Sequence, residues 1–167
     1  VLDVSASMFD DGKQDKRHCV SKRIINAALS CDALLSTLTK AQVATAVLTF
    51  GSQVALTKPF NQPAQKASIA LRSVRQGGGT GDFAAVRYAH NLLLARQEQR
   101  KVCFVITDGL GNAMMTREQC LAGARSGITT IGIGIEHNVG HVYPNAIQIN
   151  EPSDLGTVSF KQIKLAV

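Results

Sequence analysis

Two strongly apolar segments constrain the fold of this chain more than any other feature. Lys101–Thr107 and Ile128–Ile135 are rich in isoleucine and valine and lack the apolar–polar alternation of a half-solvated strand. Strands without that alternation are buried on both faces, as in parallel sheets covered by helices. The segments between the predicted strands show helical spacing. We therefore predict a three-layer, Rossmann-like open α/β sheet that is mostly parallel, with helices on both faces.

The remaining elements follow from periodicity and turn residues. Val43–Phe50 and Gln53–Thr57 predict a hairpin that supplies one antiparallel edge strand, and Ala146–Ile149 predicts a short last strand. Helices are predicted over residues 15–39, 64–74, 82–97 and 153–165, with a further helix between a capping box at Thr116-Arg117-Glu118-Gln119 and a left-handed stop at Gly127.

The first seven residues carry oxygen side chains at alternating positions. Asp3, Ser5 and Ser7 follow the apolar pair Val1-Leu2. Alternate residues of a strand share one face, and a turn after Asp3 would bring the three side chains together. Mg²⁺ takes oxygen ligands in octahedral geometry and keeps some of its waters. A hydroxyl-rich set would leave the ion able to accept an acidic side chain of a partner. The alternative is that these residues only form a turn.

Two further segments place oxygen groups where ligands of α/β proteins collect. Gly77–Asp82 is a glycine-rich loop that carries one hydroxyl, that of Thr80, before a predicted helix. Asp108 follows the strand that ends at Thr107, as Asp3 follows the first strand. Ligands of open α/β sheets bind beyond the carboxyl ends of the strands. Both carboxylates therefore lie where a site is expected.

These three motifs, in this order, resemble those of a von Willebrand factor A domain, and the resemblance covers nearly the whole chain. It implies a protein-interaction domain that contains a metal-ion-dependent adhesion site. The hydroxyls would bind the metal directly, and the aspartates would act largely through water. The implied ion is Mg²⁺, with Mn²⁺ or Ca²⁺ as alternatives, and an Asp or Glu of a partner protein would complete its shell. The matching positions are Asp3, Ser5, Ser7, Thr80 and Asp108.

Within that family, the last third of the chain resembles the C-terminal A domain of cobaltochelatase T-type subunits. The similarity lies in Ile131–Val139, Tyr143, Ala146–Ile149 and Asp154-Leu155-Gly156. Domains of that type work beside AAA+ ATPases of the MoxR type. The resemblance therefore implies a non-catalytic subunit of an ATP-dependent, chelatase-like assembly, in which the metal binds an acidic group of the ATPase complex.

Length and composition agree with one globular domain. The 167 residues suffice for a sizeable core, and the hydrophobic content of 45% excludes a disordered or fibrous chain. No stretch is long enough to span a membrane, and no secretory signal is evident. Because the chain begins inside its first predicted strand, we expect residues 1–167 to be a single domain of a longer protein.

Cysteines and charge bear on compartment and partners. Cys19 and Cys31 lie about three turns apart on one predicted helix, too far to form a disulfide, and no C-x-x-C motif suggests zinc. We predict reduced thiols and a cytoplasmic location. The net charge of +6 is scattered over several elements, with two Tyr, six Phe and no Trp for base stacking. This favours an acidic protein partner and leaves nucleic-acid binding as an alternative.

Enzymatic alternatives lack essential residues. Gly79–Ala84 matches the dinucleotide fingerprint G-x-G-x-x-A, but no apolar strand precedes it. An aspartate-based phosphatase needs a second carboxylate two residues after the first, where this chain has Ser5. Since no general base is evident near the oxygen groups, we predict a non-enzymatic domain. A metal-dependent hydrolase is the alternative.

A few other polar residues have structural interpretations. Asp82 is either the N-cap of its helix or a group that orients waters at the site. His137 and His141 are four residues apart and could face one way as ligands, although their loop favours a solvated or capping role. His18 and His90 lie on predicted helices and are expected to have no chemical role.

Overall fold

A computed structural model describes residues 1–10, 21–109 and 111–154. Its strands are β1 (Leu2–Asp3), β2 (Val47–Phe50), β3 (Val54–Lys58), β4 (Lys101–Thr107), β5 (Ile128–Ile135) and β6 (Asn145–Ile149). Within the described residues they form one sheet in the order β3-β2-β1-β4-β5-β6. The β2–β3 pair is antiparallel and the other four pairs are parallel, so the predicted sheet with one antiparallel edge strand is confirmed.

Helices cover both faces of the sheet and bury a separate apolar cluster on each. The described helices are α1 (Ala6–Phe9), α2 (Lys22–Lys40), α3 (Ala64–Arg72), α4 (Asp82–Leu94) and α5 (Ala113–Arg125). One cluster joins α2 and α3 to β1, β5, β6 and one face of β4, and the other joins α4 and α5 to β2 and the opposite face of β4. No described helix is long and apolar enough to cross a membrane.

The two central apolar strands have the predicted bounds because each buries both faces. Cys103 and Val105 of β4 pack toward α4 and α5, whereas Ile106 packs toward α2. The isoleucines in the second half of β5 also face α2. On the other face of β5, Gly132 leaves room for the ring of Tyr143, since a Cβ there would lie 2.4 Å from that ring. The glycines of this strand therefore serve close packing.

Several other predicted boundaries are wrong, and capping residues explain two of them. The first long helix begins at Lys22 because Ser21 is extended and its hydroxyl accepts a hydrogen bond from the backbone N–H of Arg23. The capping box at Thr116 is also wrong. Asn112 caps α5 through its side chain, and Thr116 is buried inside that helix. Gly127 does take the left-handed conformation, with a φ of 78°.

Residues at the ends of other elements take irregular structure. β2 is four residues long and begins at Val47 rather than Val43, and α4 ends at Leu94 rather than near residue 97. The predicted helical residues 15–20 and almost all of the predicted closing helix lie outside the described residues.

The order of the strands reverses direction at β1. From β1 the chain continues to β2 and β3 on one side, whereas β4, β5 and β6 follow on the other side. Leu2 of β1 is in register with Ile106 of β4, so the two carboxyl ends lie next to each other. Such a switch point forms a crevice at the carboxyl edge of an open sheet. Asp3 and Asp108 both lie at this crevice.

Candidate metal centre

Asp3 is a buried carboxylate held between two strand ends. Its Oδ1 accepts a hydrogen bond of 2.8 Å from the backbone N–H of Ser5, and its Oδ2 accepts one of 2.6 Å from the hydroxyl of Thr107. Thr107 is the last residue of β4, so this bond joins β4 to β1. The side chain of Asp3 is therefore fixed in one orientation at the crevice.

The surroundings of Asp3 oppose its negative charge. Burial is the largest cause and raises the pKa of Asp3 from 3.8 to about 6. The hydrogen bonds from Thr107 and Ser5 lower the pKa, and the charge of Asp108 raises it further. A cation held close to both carboxylates would favour the charged form of each. The electrostatics of the crevice thus suit a positive ion.

Ser5 and Ser7 place two hydroxyls next to each other, close to Asp3. Ser5 is the residue before the one-turn helix α1, but its hydroxyl makes no capping bond to that helix. Instead, the Oγ atoms of Ser5 and Ser7 lie 3.1 Å apart. Met8 is completely buried and anchors the turn on the core. The predicted convergence of these two serines with Asp3 is present in the structure.

The glycine-rich loop lies directly against this turn. The N–H of Gly77 donates to the carbonyl of Val4 at 2.7 Å. The N–H of Ala6 donates to the carbonyl of Gly78, also at 2.7 Å. These bonds bring Thr80, which is half-buried, to the same edge as the serines. Among the described residues, no hydrogen bond joins the Thr80 hydroxyl to the other predicted ligands.

The β2–β3 turn holds the other side of the glycine-rich loop. The N–H of Ser52 donates to the carbonyl of Gly77, and the Ser52 hydroxyl accepts from the N–H of Gly79, both at 2.7 Å. The N–H of Gly81 donates to the carbonyl of Gly51 at 2.9 Å. A Cβ on Gly51 would lie 2.3 Å from the carbonyl oxygen of Gly77, so only glycine permits this approach.

Asp108 follows β4 and faces a guanidinium group that the sequence analysis missed. Its carboxylate is buried, and its Oδ2 lies 3.5 Å from Nη1 of Arg23. The same Nη1 donates to the carbonyl of Ser7 at 2.9 Å, and Nη2 lies 3.5 Å from Oε2 of Glu136. In the sequence, Arg23 is one of several basic residues scattered over different elements. Its position two residues after Ser21, a residue type that often caps helices, was the available signal.

Asp82 is a buried support for the segment that follows Asp108. Its Oδ1 accepts hydrogen bonds from the backbone N–H groups of Phe83 at 2.9 Å and Asn112 at 3.1 Å. The N-cap position of α4 belongs to Gly81, so the interpretation of Asp82 as the N-cap is wrong. Asp82 instead joins the start of α4 to the start of α5.

The assembled donor set suits a hard divalent cation. It contains two carboxylates and hydroxyl oxygens, which are the ligand types of Mg²⁺ and Ca²⁺ rather than of zinc or copper. Among the described residues, no group of three or more His, Cys, Asp and Glu side chains could hold a metal. His137 and His141 are exposed. Cys31, Cys103 and Cys120 are buried free thiols.

Comparison with known proteins gives the same fold. No curated protein sequence matches the chain significantly. An aerotolerance-related membrane protein from Bacteroides fragilis NCTC 9343, with multiple mutations to serines, aligns at a TM-score of 0.75 and 16% identity over 98% of this chain and 96% of that chain. The conserved hypothetical protein BatB from Bacteroides thetaiotaomicron aligns at 0.75 and 18% identity, over 99% and 96%.

A further solved structure and a family model also match the chain. A von Willebrand factor type A protein from Catenulispora acidiphila aligns at a TM-score of 0.69 and 16% identity, over 97% of this chain and 40% of that chain. At these identities the structural likeness shows the fold alone. The family model of the von Willebrand factor type A domain matches residues 1–110 of the 167, and the chain belongs to this family.

Proposed function

We propose that this A domain is a metal-dependent interaction module that captures an acidic side chain of a partner protein. The observation that carries the proposal is the meeting of two buried carboxylates with a pair of serine hydroxyls 3.1 Å apart at the switch point of the sheet. The ion is Mg²⁺, with Mn²⁺ or Ca²⁺ able to replace it. The proposed metal-binding residues are Asp3, Ser5, Ser7, Thr80 and Asp108.

The local geometry supports different roles for these residues. Both oxygens of Asp3 already accept hydrogen bonds, which suits a residue that acts through metal-bound water and supplies charge. The hydroxyls of Ser5 and Ser7 are not used for capping α1 and suit direct ligation. Thr80 would add a third hydroxyl from the glycine-rich loop. The bound cation would supply an open coordination position for a carboxylate oxygen.

The charge of the site supports an acidic partner rather than a basic one. Two aspartates balance one divalent cation, and the guanidinium of Arg23 adds a positive charge 3.5 Å from Asp108. The chain as a whole carries a net charge of +6. A carboxylate that approaches the loaded site is therefore attracted both at contact and at long range.

A binding role is also favoured over hydrolysis. A hydrolase would need a group near the ion that can take a proton from water. Asp3 is already fixed by Ser5 and Thr107, and Asp108 lies against Arg23. Neither carboxylate is placed as a mobile base. We therefore propose a non-catalytic domain.

We further propose that the partner is an AAA+ ATPase or its complex. The support is the resemblance of Ile131–Val139, Tyr143, Ala146–Ile149 and Asp154-Leu155-Gly156 to the A domain of cobaltochelatase T-type subunits, in which such domains work beside ATPases of the MoxR type. The buried free cysteines agree with a reducing compartment, and the cytoplasmic location stays a prediction.

Metal binding is tested by titrating the purified domain with Mg²⁺ in a calorimeter. Thr80→Ala removes one proposed ligand from a half-buried position and should weaken Mg²⁺ binding by at least about tenfold. Thr37→Ala is the matched control, because Thr37 is exposed on α2 and bonds only within that helix. Equal Mg²⁺ affinity of Thr80→Ala and the wild type would contradict the proposed site.

Partner binding is tested by affinity purification from the native source in Mg²⁺ and in EDTA, with mass identification of the bound proteins. An AAA+ ATPase retained by the wild type in Mg²⁺, but lost in EDTA and with Thr80→Ala, would support the proposal. Proteins retained equally in EDTA, or nucleic acid alone, would show that binding does not use the metal centre.

A further inference from the structure

Arg23 lies across the carboxyl ends of three strands. Its Nη1 contacts the carbonyl of Ser7 beyond β1 and the carboxylate of Asp108 beyond β4. Its Nη2 lies 3.5 Å from the carboxylate of Glu136 beyond β5. The side chain of Arg23 is only 11% exposed, although it lies on the first turn of a helix at the surface of the sheet. A guanidinium at this position places a positive charge close to the carboxylate of Asp108 in the crevice.

The two carboxylates of the crevice are buried, and one of them lies close to the guanidinium of Arg23. Asp3 and Asp108 are both almost completely buried, and two like charges at one crevice repel each other. Buried charges without a counter-charge are costly, because water no longer screens them. The guanidinium of Arg23 is a cation already in place at 3.5 Å from one of them.

We propose that Arg23 is an internal counter-ion that stabilises the metal-free centre and lowers the affinity of the site for the divalent cation. The inference rests on the proposed function, since it concerns the same metal. A cation bound between Asp3 and Asp108 would meet the guanidinium as a like charge and would compete with it for Asp108. Arg23 is a positioning residue in this proposal and not a metal ligand.

Glu136 offers Arg23 a second carboxylate away from the crevice. Glu136 has a φ of 63°, a left-handed conformation that is uncommon for a residue with a side chain. Its N–H donates to the carbonyl of Ile149, and its own carbonyl accepts from the side chain of Gln148. The exposed carboxylate of Glu136 can therefore hold the guanidinium when a divalent cation neutralises Asp108.

The test measures Mg²⁺ affinity and thermal unfolding of three variants beside the wild type. Arg23→Gln removes the charge and keeps part of the side chain, and Arg23→Lys keeps the charge without the fork of donors. Lys22→Gln is the matched control, because it makes the same change of net charge at an exposed residue of the same helical turn. Mg²⁺ alone is the titrant, so no partner protein is needed.

The expected result separates charge from packing. Arg23→Gln should bind Mg²⁺ roughly tenfold more tightly than the wild type, since two positive charges no longer repel across the crevice. It should unfold at a temperature lower by roughly 3 °C or more in EDTA, and the deficit should shrink in saturating Mg²⁺. Arg23→Lys should bind Mg²⁺ close to the wild-type affinity, and Lys22→Gln should leave both measurements nearly unchanged.

Failure of this inference is distinguishable from failure of the proposed function. If the wild type binds Mg²⁺ and Arg23→Gln binds it equally or more weakly, the counter-ion role is wrong and the metal site stands. Equal tightening in Lys22→Gln would also overturn the inference, because net charge alone would explain it. If neither the wild type nor Arg23→Gln binds Mg²⁺, both proposals fail.

Discussion

Two buried polar clusters among the described residues differ in the charge of their groups. The histidine cluster lies between α4, α5 and β5 and consists of His90, Gln119 and Thr130. The acidic edge lies beyond β1 and β4 and consists of Asp3, Ser5, Ser7, Thr80 and Asp108. Both clusters bury polar atoms, and each interrupts an otherwise apolar interior.

In the histidine cluster, each ring nitrogen has a neutral partner. Nδ1 of His90 lies 3.2 Å from the amide nitrogen of Gln119, which can only donate, so Nδ1 accepts. Nε2 then carries the proton and donates to the hydroxyl of Thr130 at 2.8 Å. A neutral network that is satisfied in this way stabilises the interior and needs no ligand.

In the acidic edge, two carboxylates lie close together. Both are buried, Asp108 lies against the guanidinium of Arg23, and burial raises the pKa of Asp3 to about 6. The serine hydroxyls contact each other rather than a helix end. Burial of polar groups alone therefore does not indicate a binding site. Two buried like charges beside a pair of hydroxyls that do not cap a helix are the feature that indicates a site.

The largest effect should come from removing charge at the acidic edge. Asp3→Asn keeps the size of the side chain and should weaken Mg²⁺ binding by about 100-fold, because half of the carboxylate charge is lost. The stability of the metal-free protein should change little, because relief of the buried charge offsets the one hydrogen bond that an amide NH2 group cannot accept. Calorimetric titration and thermal unfolding in EDTA check the two parts.

His90→Gln is the control for this prediction, because it changes a buried polar residue of the other cluster. It should lower the unfolding temperature and leave Mg²⁺ affinity unchanged in the folded protein. If Asp3→Asn bound Mg²⁺ as tightly as the wild type, or if His90→Gln lost Mg²⁺ binding, the functional contrast between the clusters would be wrong.

A smaller effect should follow from crowding the histidine cluster. A Cβ on Gly123 would lie 2.4 Å from Cε1 of His90, whose ring is held by two hydrogen bonds and cannot move aside. Gly123→Ala should therefore destabilise the fold by about 2 kcal/mol, despite the better helix propensity of alanine. Denaturant unfolding measures this change.

The double variant His90→Ala with Gly123→Ala isolates the cause. With the ring removed, the added methyl group has space, so the second substitution should cost little in the His90→Ala background. Equal cost of Gly123→Ala in both backgrounds would show that the ring is not the obstacle. Mg²⁺ affinity should be unchanged in every folded variant of this series.

Features that are local in the chain could be predicted from the sequence. Buried strands such as Lys101–Thr107 were predicted with correct bounds, because their pattern reflects burial on both faces. Asp3, Ser5 and Ser7 were predicted to converge, because they are local in the chain and follow a strand end. Local spacing and strand ends are visible in a linear pattern.

Contacts between distant segments could not be predicted in this way. Arg23 meets Asp108 and Glu136 across separations of 85 and 113 residues, and no local pattern records such a pairing. His90 was expected to have no chemical role, and its helical spacing gave no sign of its bond to Thr130. Both depend on which helix packs on which strand, which only the folded sheet determines.

The smallest effect concerns the pH dependence of stability. Burial lowers the pKa of His90 below its ordinary value of 6.5. The unfolded chain therefore binds a proton more readily than the folded protein just below pH 6.5. Stability from this residue is present above pH 6.5 and is lost as the pH falls through the lowered pKa, by at most about 1.4 kcal/mol per pH unit.

The pKa shift of Asp3 changes the pH dependence of stability in the opposite direction to that of His90. The measurement must therefore compare the wild type with a His90 variant. Its pKa is raised to about 6, and the stability linked to it is present at low pH and lost as the pH rises through that value. Subtracting the unfolding free energy of His90→Gln from that of the wild type at each pH removes the Asp3 contribution. The difference should decrease below pH 6.5, and a difference that is constant from pH 7 to 5 would show that the neutral network of His90 does not resist protonation.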